Sequence, residues 1–167
     1  MRSRTIIKVG DVFSVPLDAS TKRYFQYIAN DQTQLDSDVI RAFKLAHQIN
    51  AKPDLSDVVS GEVAFYAHLI IKLGIKMGLW EKVGSVPYDE EPNVLFKHSW
   101  DWGKPGIQIS HSWSVWRING DFQKVGKLEG DFRNAEIGIV FSPPSIVDRM
   151  RRALAAQDYV YEGYPAY

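Results

Sequence analysis

Residues 98–113, HSWDWGKPGIQISHSW, carry the tripeptide His-Ser-Trp twice and hold two of the four histidines and three of the five tryptophans of the chain. Two imidazoles brought side by side, as His98 and His111 would be across a hairpin, could share a zinc, copper or nickel ion. Two ligands do not close a site. A third would have to come from His47, His68 or a carboxylate, and no HExxH-type spacing supplies it. The alternative is structural: two imidazoles inside an aromatic cluster, each bonded to a backbone carbonyl or water. The rings of Trp100, Trp102 and Trp113 could stack single-stranded bases, but that chemistry wants lysine and arginine alongside, and the ribbon built on this stretch, from Phe96 to Trp113, offers only Lys97 and Lys104. Other catalytic templates are absent: no GxSxG elbow, Walker loop, GxGxxG or EF-hand loop occurs, and no Ser, His, Asp spacing singles out a triad. Asp89, Glu90 and Glu91 read as a solvated loop, a poor setting for a raised carboxyl pKa. No cofactor is expected.

The element that would position these side chains is a hairpin turning at Gly103-Lys-Pro-Gly106, since glycine accepts positive φ and proline fixes its own. That turn pairs Trp102 with Ile107, Trp100 with Ile109, His98 with His111 and Phe96 with Trp113. All the apolar residues and both histidines then share one face, opposite Lys97, Ser99, Asp101, Gln108, Ser110 and Ser112.

Around this ribbon the chain reads as short strands. Phe13, Val15 and Leu17 alternate along residues 11–17, with Pro16 suiting an edge or strand end. Residues 18–22 carry turn chemistry, Tyr24 to Ala29 forms a second strand closing at Asn30-Asp31, and Val39 to Phe43 a third. Asp54 is placed to cap a short helix that Gly61 ends. Val63 to Ile71, apolar on both faces and rich in β-branched and aromatic types, reads as a buried strand, after which Gly74 and Gly78 punctuate the chain. Trp80 to Gly84 is a further strand. The loop YDEEPN, residues 88–93, is the best internal boundary and separates two halves of one domain, residues 1–167. Trp116-Arg-Ile and Phe122 to Val125 are strands about a turn at Asn119-Gly-Asp121. A late helix starts at Ser142-Pro143, with Val147, Met150 and Leu154 as its apolar stripe and Arg149, Arg151 and Arg152 as a solvated face. The aromatic tail, residues 158–167, docks on the body or frays. The fold class is α+β, mostly antiparallel β, with an SH3-like barrel or bent sheet at the N-terminus and a late C-terminal helix.

With 167 residues, 45% of them hydrophobic, the chain can bury a core unaided. Twenty basic residues balance twenty acidic ones, so no global field draws it to nucleic acid or an anionic membrane. The absence of cysteine excludes disulfides, thiolate metal sites and a thiol nucleophile. Neither a secretory signal nor an apolar run of the roughly 20 residues that span a bilayer is present, and a cytoplasmic location is expected.

Gly10-Asp-Val-Phe-Ser-Val-Pro-Leu17, followed by the aromatic strand Tyr24-Phe-Gln-Tyr-Ile28, is similar to the opening of the immunity protein 26 family. Gly78-Leu-Trp80-Glu-Lys-Val-Gly84 resembles that family's G-x-W-x-(I/V)-(I/V)-G segment. Together they cover about the first 90 residues. The resemblance departs at Tyr24-Phe-Gln-Tyr, where a glycine-containing stretch is the commoner pattern, and does not extend to the tryptophan ribbon. It implies a mostly β protein of bacterial toxin systems that protects its own cell by binding a cognate protein toxin, with no catalytic residue carried over. An unusual store of aromatic side chains fits the same role, since such anchors dominate interface energetics. The expected contact residues are Trp100, Trp102, Trp113, His98 and His111. The runner-up is a small-ligand or metal-dependent enzyme using His98 and His111, and a nucleic-acid module is the third reading. The toxin's identity and the oligomeric state are not legible.

Overall fold

The computed structural model describes residues 5–101 and 104–152. The strands are β1 (Asp11–Pro16), β2 (Thr21–Asp31), β3 (Ser37–Phe43), β4 (His47–Gln48), β5 (Val63–Leu69), β6 (Glu81–Ser85), β7 (Leu95–Ser99), β8 (Trp113–Arg117), β9 (Gln123–Gly126), β10 (Glu136–Ile137) and β11 (Val140–Phe141). The helices are α1 (Leu55–Val59), α2 (Ile71–Lys76) and α3 (Pro143–Arg152), with a 3-10 turn at Gly130–Asn134. Among the described residues these strands make two open sheets. Sheet 1 runs β11-β5-β3-β2-β1-β6 with β4 added to β2, and sheet 2 runs β10-β7-β8-β9. All pairings are antiparallel except β11 with β5 and β10 with β7. The protein is therefore mixed α+β and mostly antiparallel, with an open sheet rather than a closed barrel at its N-terminus.

Sheet 1 is buried on both faces, because its strands alternate between two apolar sets. Phe13, Phe25, Ile40, Phe65 and Leu69 point to one side, where α2, α3 and Trp80 cover them. Val12, Tyr24 and Phe43 point to the other side and meet Val58 of α1. Further along that side, Ile28 and Val39 meet Phe96 and Trp116 of sheet 2. Each such large apolar side chain contributes roughly 1.5–3 kcal/mol on burial.

Local chemistry sets the ends of the elements. The Asp54 carboxylate accepts the Ser56 amide at 2.8 Å and caps α1 as expected. Ser142 accepts the Ser145 amide at 3.4 Å at the start of α3. The far end of α3 is fixed by Arg23, which donates to the Met150 carbonyl, and by Arg151, which donates to the Leu17 carbonyl at 3.0 Å.

Three expectations are corrected. Gly74 does not break the chain but sits inside α2, where its missing side chain makes room for the Trp80 indole. The Arg149 guanidinium is not part of a solvated face: it is fully buried, 3.9 Å from the centre of the Phe65 ring and paired with Glu136 at 3.4 Å. The hairpin register also differs. Phe96 pairs with Trp116 instead of Trp113, and His98 with Ser114 instead of His111, a slip of three residues. β7 ends at Ser99 and β8 begins at Trp113, so the connection between them is longer than the four residues expected, running from Trp100 to Ser112. Because three is odd, Trp113 moves to the face opposite Phe96 and packs with Val115 and Leu128. Leu154 and the aromatic tail lie outside the described residues.

Candidate partner-binding face

β7 and β8 place Phe96, His98, Ser114 and Trp116 on the side of sheet 2 that meets sheet 1, and β7 then hands the chain to Trp100. The Trp100 indole donates to Ser114 Oγ at 3.1 Å, which pins a ring that is otherwise 53% exposed. The His98 ring stands edge-on to it, centroids 5.3 Å apart. On the other side Phe122, from the segment leading into β9, meets Trp100 at 5.9 Å and Trp116 at 4.7 Å. Ile107 and Ile109 of the long connection are exposed nearby in sequence. That connection is held by hydroxyls, with Ser99 Oγ donating to Ser110 Oγ at 2.6 Å and Ser110 Oγ to the Asp101 carboxylate at 2.9 Å. A cavity of about 440 Å³ opens beside Trp100, lined also by His111, Ser112, Trp113, Lys124 and Gly126.

Of the expected contact residues, Trp100 and His111 are exposed, His98 is half-buried against Trp100, and Trp113 is buried. Burial depresses the His98 imidazole below its usual range, which favours the neutral ring. Trp102 lies outside the described residues. His98 and His111 are not cross-strand partners, so the pairing that suggested a shared metal ion does not form. Among the described residues no group of three or more His, Asp or Glu side chains is arranged to hold a metal ion.

Beneath the face lies a network that the residue pattern did not announce. The Asp31 carboxylate, at the end of β2, is fully buried and accepts four hydrogen bonds. His68 Nε2 donates to Oδ2 at 2.8 Å, the Trp116 indole to Oδ2 at 3.1 Å, and the amides of Asn119 and Thr33 to Oδ1 at 2.9 and 3.1 Å. Burial alone would raise this carboxyl, but the His68, Asn119 and Trp116 bonds outweigh it and hold it down to about 2. His68 also packs on Phe96, centroids 4.1 Å apart. The available signal was a histidine inside the apolar run VAFYAHLII, since a buried imidazole needs a polar partner.

A second concavity, of about 390 Å³, lies where β5, β7 and β10 come together. Tyr66, Tyr88, Glu90, Glu91, Asp131 and Glu136 line it. Burial pushes the Glu136 carboxyl up to about 6 in spite of Arg149 beside it.

The fold and the face define a class: a mixed α+β protein, mostly antiparallel, that presents a cluster of aromatic side chains at one end of its second sheet. The family described as Immunity protein 26 matches residues 8–106, and the chain belongs to that family. No curated protein and no solved structure matches the chain. Membership carries a toxin-neutralising immunity role and a protein toxin as the partner. Immunity proteins of this family are generally not enzymes.

Proposed function

We propose that this protein binds one cognate toxin in the cytoplasm and neutralises it by covering it, with the Trp100 face as the contact surface. The observation that supports this reading is the exposed pair Trp100 and Phe122, backed by His98, Trp116 and the cavity that His111 lines. A rigid indole already hydrogen-bonded to Ser114 loses little freedom on docking, and tryptophan anchors beside a pocket are the usual hot spots of protein interfaces. Lys124 at the cavity is offset by Asp101 in the connection and by Asp121 next to Phe122, so apolar contact rather than a field of one sign would supply the affinity.

The test is calorimetric titration against candidate toxin domains encoded near the gene, the one that binds the parent serving for the variants. Trp100→Ala is expected to cost about 2 kcal/mol or more, roughly a thirtyfold loss of affinity. Phe122→Ala should weaken binding as well, through the ring that Trp100 leans on. Both side chains are partly exposed, so the variants should unfold close to the parent temperature. Unchanged affinity in the double variant removes this face from the mechanism.

A further inference from the structure

We infer that Asp31 is the positioning residue of the Trp100 face, acting through Trp116 and the turn that carries Phe122; the inference rests on the reading that this face binds the toxin.

An unbroken set of contacts joins the buried carboxylate to the surface. Asp31 Oδ2 holds the Trp116 indole at 3.1 Å. Trp116 stands against Phe122, and Phe122 against Trp100, with centroids 4.7 and 5.9 Å apart. Asp31 Oδ1 holds the Asn119 amide at 2.9 Å, and Asn119 has a φ of 60°, a left-handed conformation that asparagine tolerates better than most residues. The same turn is clamped to the end of β2 and the β2–β3 connection by three more bonds. Asn119 Oδ1 accepts the Gln32 amide at 2.8 Å, Asn119 Nδ2 donates to the Asn30 carbonyl at 3.1 Å, and the Thr33 hydroxyl donates to the Gly120 carbonyl at 2.8 Å. Phe122 follows two residues later. One carboxylate thus fixes both the ring behind Phe122 and the backbone that delivers it.

Stability alone gives little reason for this arrangement. A buried Asp–His pair is often no better than an apolar pair of the same shape, because both groups must leave water. His68 Nδ1 is buried with no hydrogen-bond partner among the described residues, a further cost. What the pair supplies is direction. A carboxylate with four donors converging on it can hold an indole from sheet 2 and a turn amide in one relative position, which apolar packing specifies less sharply.

The experiment compares Asp31→Asn with Asp11→Asn. Asp11 is also a fully buried carboxylate, bonded to Lys82 at 2.9 Å and to the Lys8 amide at 2.9 Å, but it lies in β1 away from the face. In the protein alone, nuclear Overhauser contacts between the Phe122 and Trp116 rings, and the shifted indole proton of Trp116, should persist in Asp11→Asn and be lost in Asp31→Asn. Against the toxin domain that binds the parent, at a temperature where each variant is folded, Asp31→Asn should bind about tenfold more weakly and Asp11→Asn like the parent. His68 supplies a second arm should Asp31→Asn not fold. His68→Gln keeps a donor where Nε2 lies and should retain affinity, whereas His68→Leu removes it and should not. Parental affinity in Asp31→Asn and His68→Leu, beside weak binding by Trp100→Ala, overturns the inference and leaves the face intact. Equal losses in Asp31→Asn and Asp11→Asn also overturn it. Parental affinity in Trp100→Ala overturns the reading itself, and the inference with it.

Discussion

Lys97 lies on β7 with 2% of its surface exposed, its ammonium donating to the Arg133 carbonyl at 2.6 Å. Burial depresses its pKa to about 8, against the opposing pull of the Glu136 charge. The folded state therefore holds this proton less tightly than the unfolded chain, whose lysines titrate near 10.5. Stability from this group should rise as pH climbs through the folded pKa toward the unfolded one, by about 1 kcal/mol between pH 7 and 9. Denaturant unfolding of the parent and of Lys97→Met across that range isolates the effect, and the gain is expected to vanish in the variant. Measurement should stop below pH 10, because burial and the Asp38 charge push the Tyr27 phenol up to about 12, and its contribution carries the opposite sign. Residues of this kind were the least legible in the sequence. Lys97 fell on the polar side of an alternating ribbon, and Arg149 sat beside Arg151 and Arg152 in what read as one basic face. Arg149 is three residues from Ile146 and next to Met150, so the helical turn carries it under the sheet while Arg151 and Arg152 stay outside.

At the level of elements, the strands were legible wherever alternation or β-branched content was strong, as in β1, β2, β3 and β5, and the caps Asp54 and Ser142 followed from their chemistry. The ribbon shows where that logic stops. Alternation assigns faces only if one of them meets water, yet Trp113, Ser114, Val115 and Trp116 are all buried, so the pattern could not distinguish the true register from one three residues away. β10 and β11 are two residues each, too short for any periodicity to register. Helix α2 was hidden because Gly74 reads as a breaker, and its meaning is steric. A Cβ there would stand 1.9 Å from the Trp80 ring, whose indole donates to the Ile71 carbonyl at 3.0 Å and meets Phe25 edge-on. Gly74→Ala would gain about 1 kcal/mol of helix propensity but must displace a buried, hydrogen-bonded indole, so a net loss of about 2 kcal/mol is expected. Trp80→Phe removes the atoms that clash. In a double-mutant cycle by chemical denaturation, Gly74→Ala should therefore cost clearly less in the Trp80→Phe background than in the parent.

For the whole molecule, the stretch matching the family ends at residue 106, but neither sheet ends there. β11 completes the edge of sheet 1 beside β5, and β8, β9 and β10 make up three of the four strands of sheet 2. The main core draws Ile137, Ile139, Phe141, Ile146, Val147 and Met150 from beyond residue 106, and Asp31 takes its Trp116 and Asn119 partners from there. A chain stopped at 106 would leave β7 without a hydrogen-bonded neighbour and would strip from one face of sheet 1 the cover that α3 and the residues around it provide. The same dependence leads us to expect that the described segments on either side of residue 106 unfold together. Thermal unfolding of the full chain, followed by near-ultraviolet circular dichroism, is expected to show a single cooperative transition. The fragment 1–106 is expected to lack the fixed aromatic signal and to unfold without a sharp midpoint, in the manner of a collapsed state that has lost its packing. A fragment that folds cooperatively would make residues 107–152 an appendage to a self-sufficient family core. The Trp100 face, which needs Ser114, Trp116 and Phe122 from that appendage, would then be a feature of this chain rather than of the core it shares with its family.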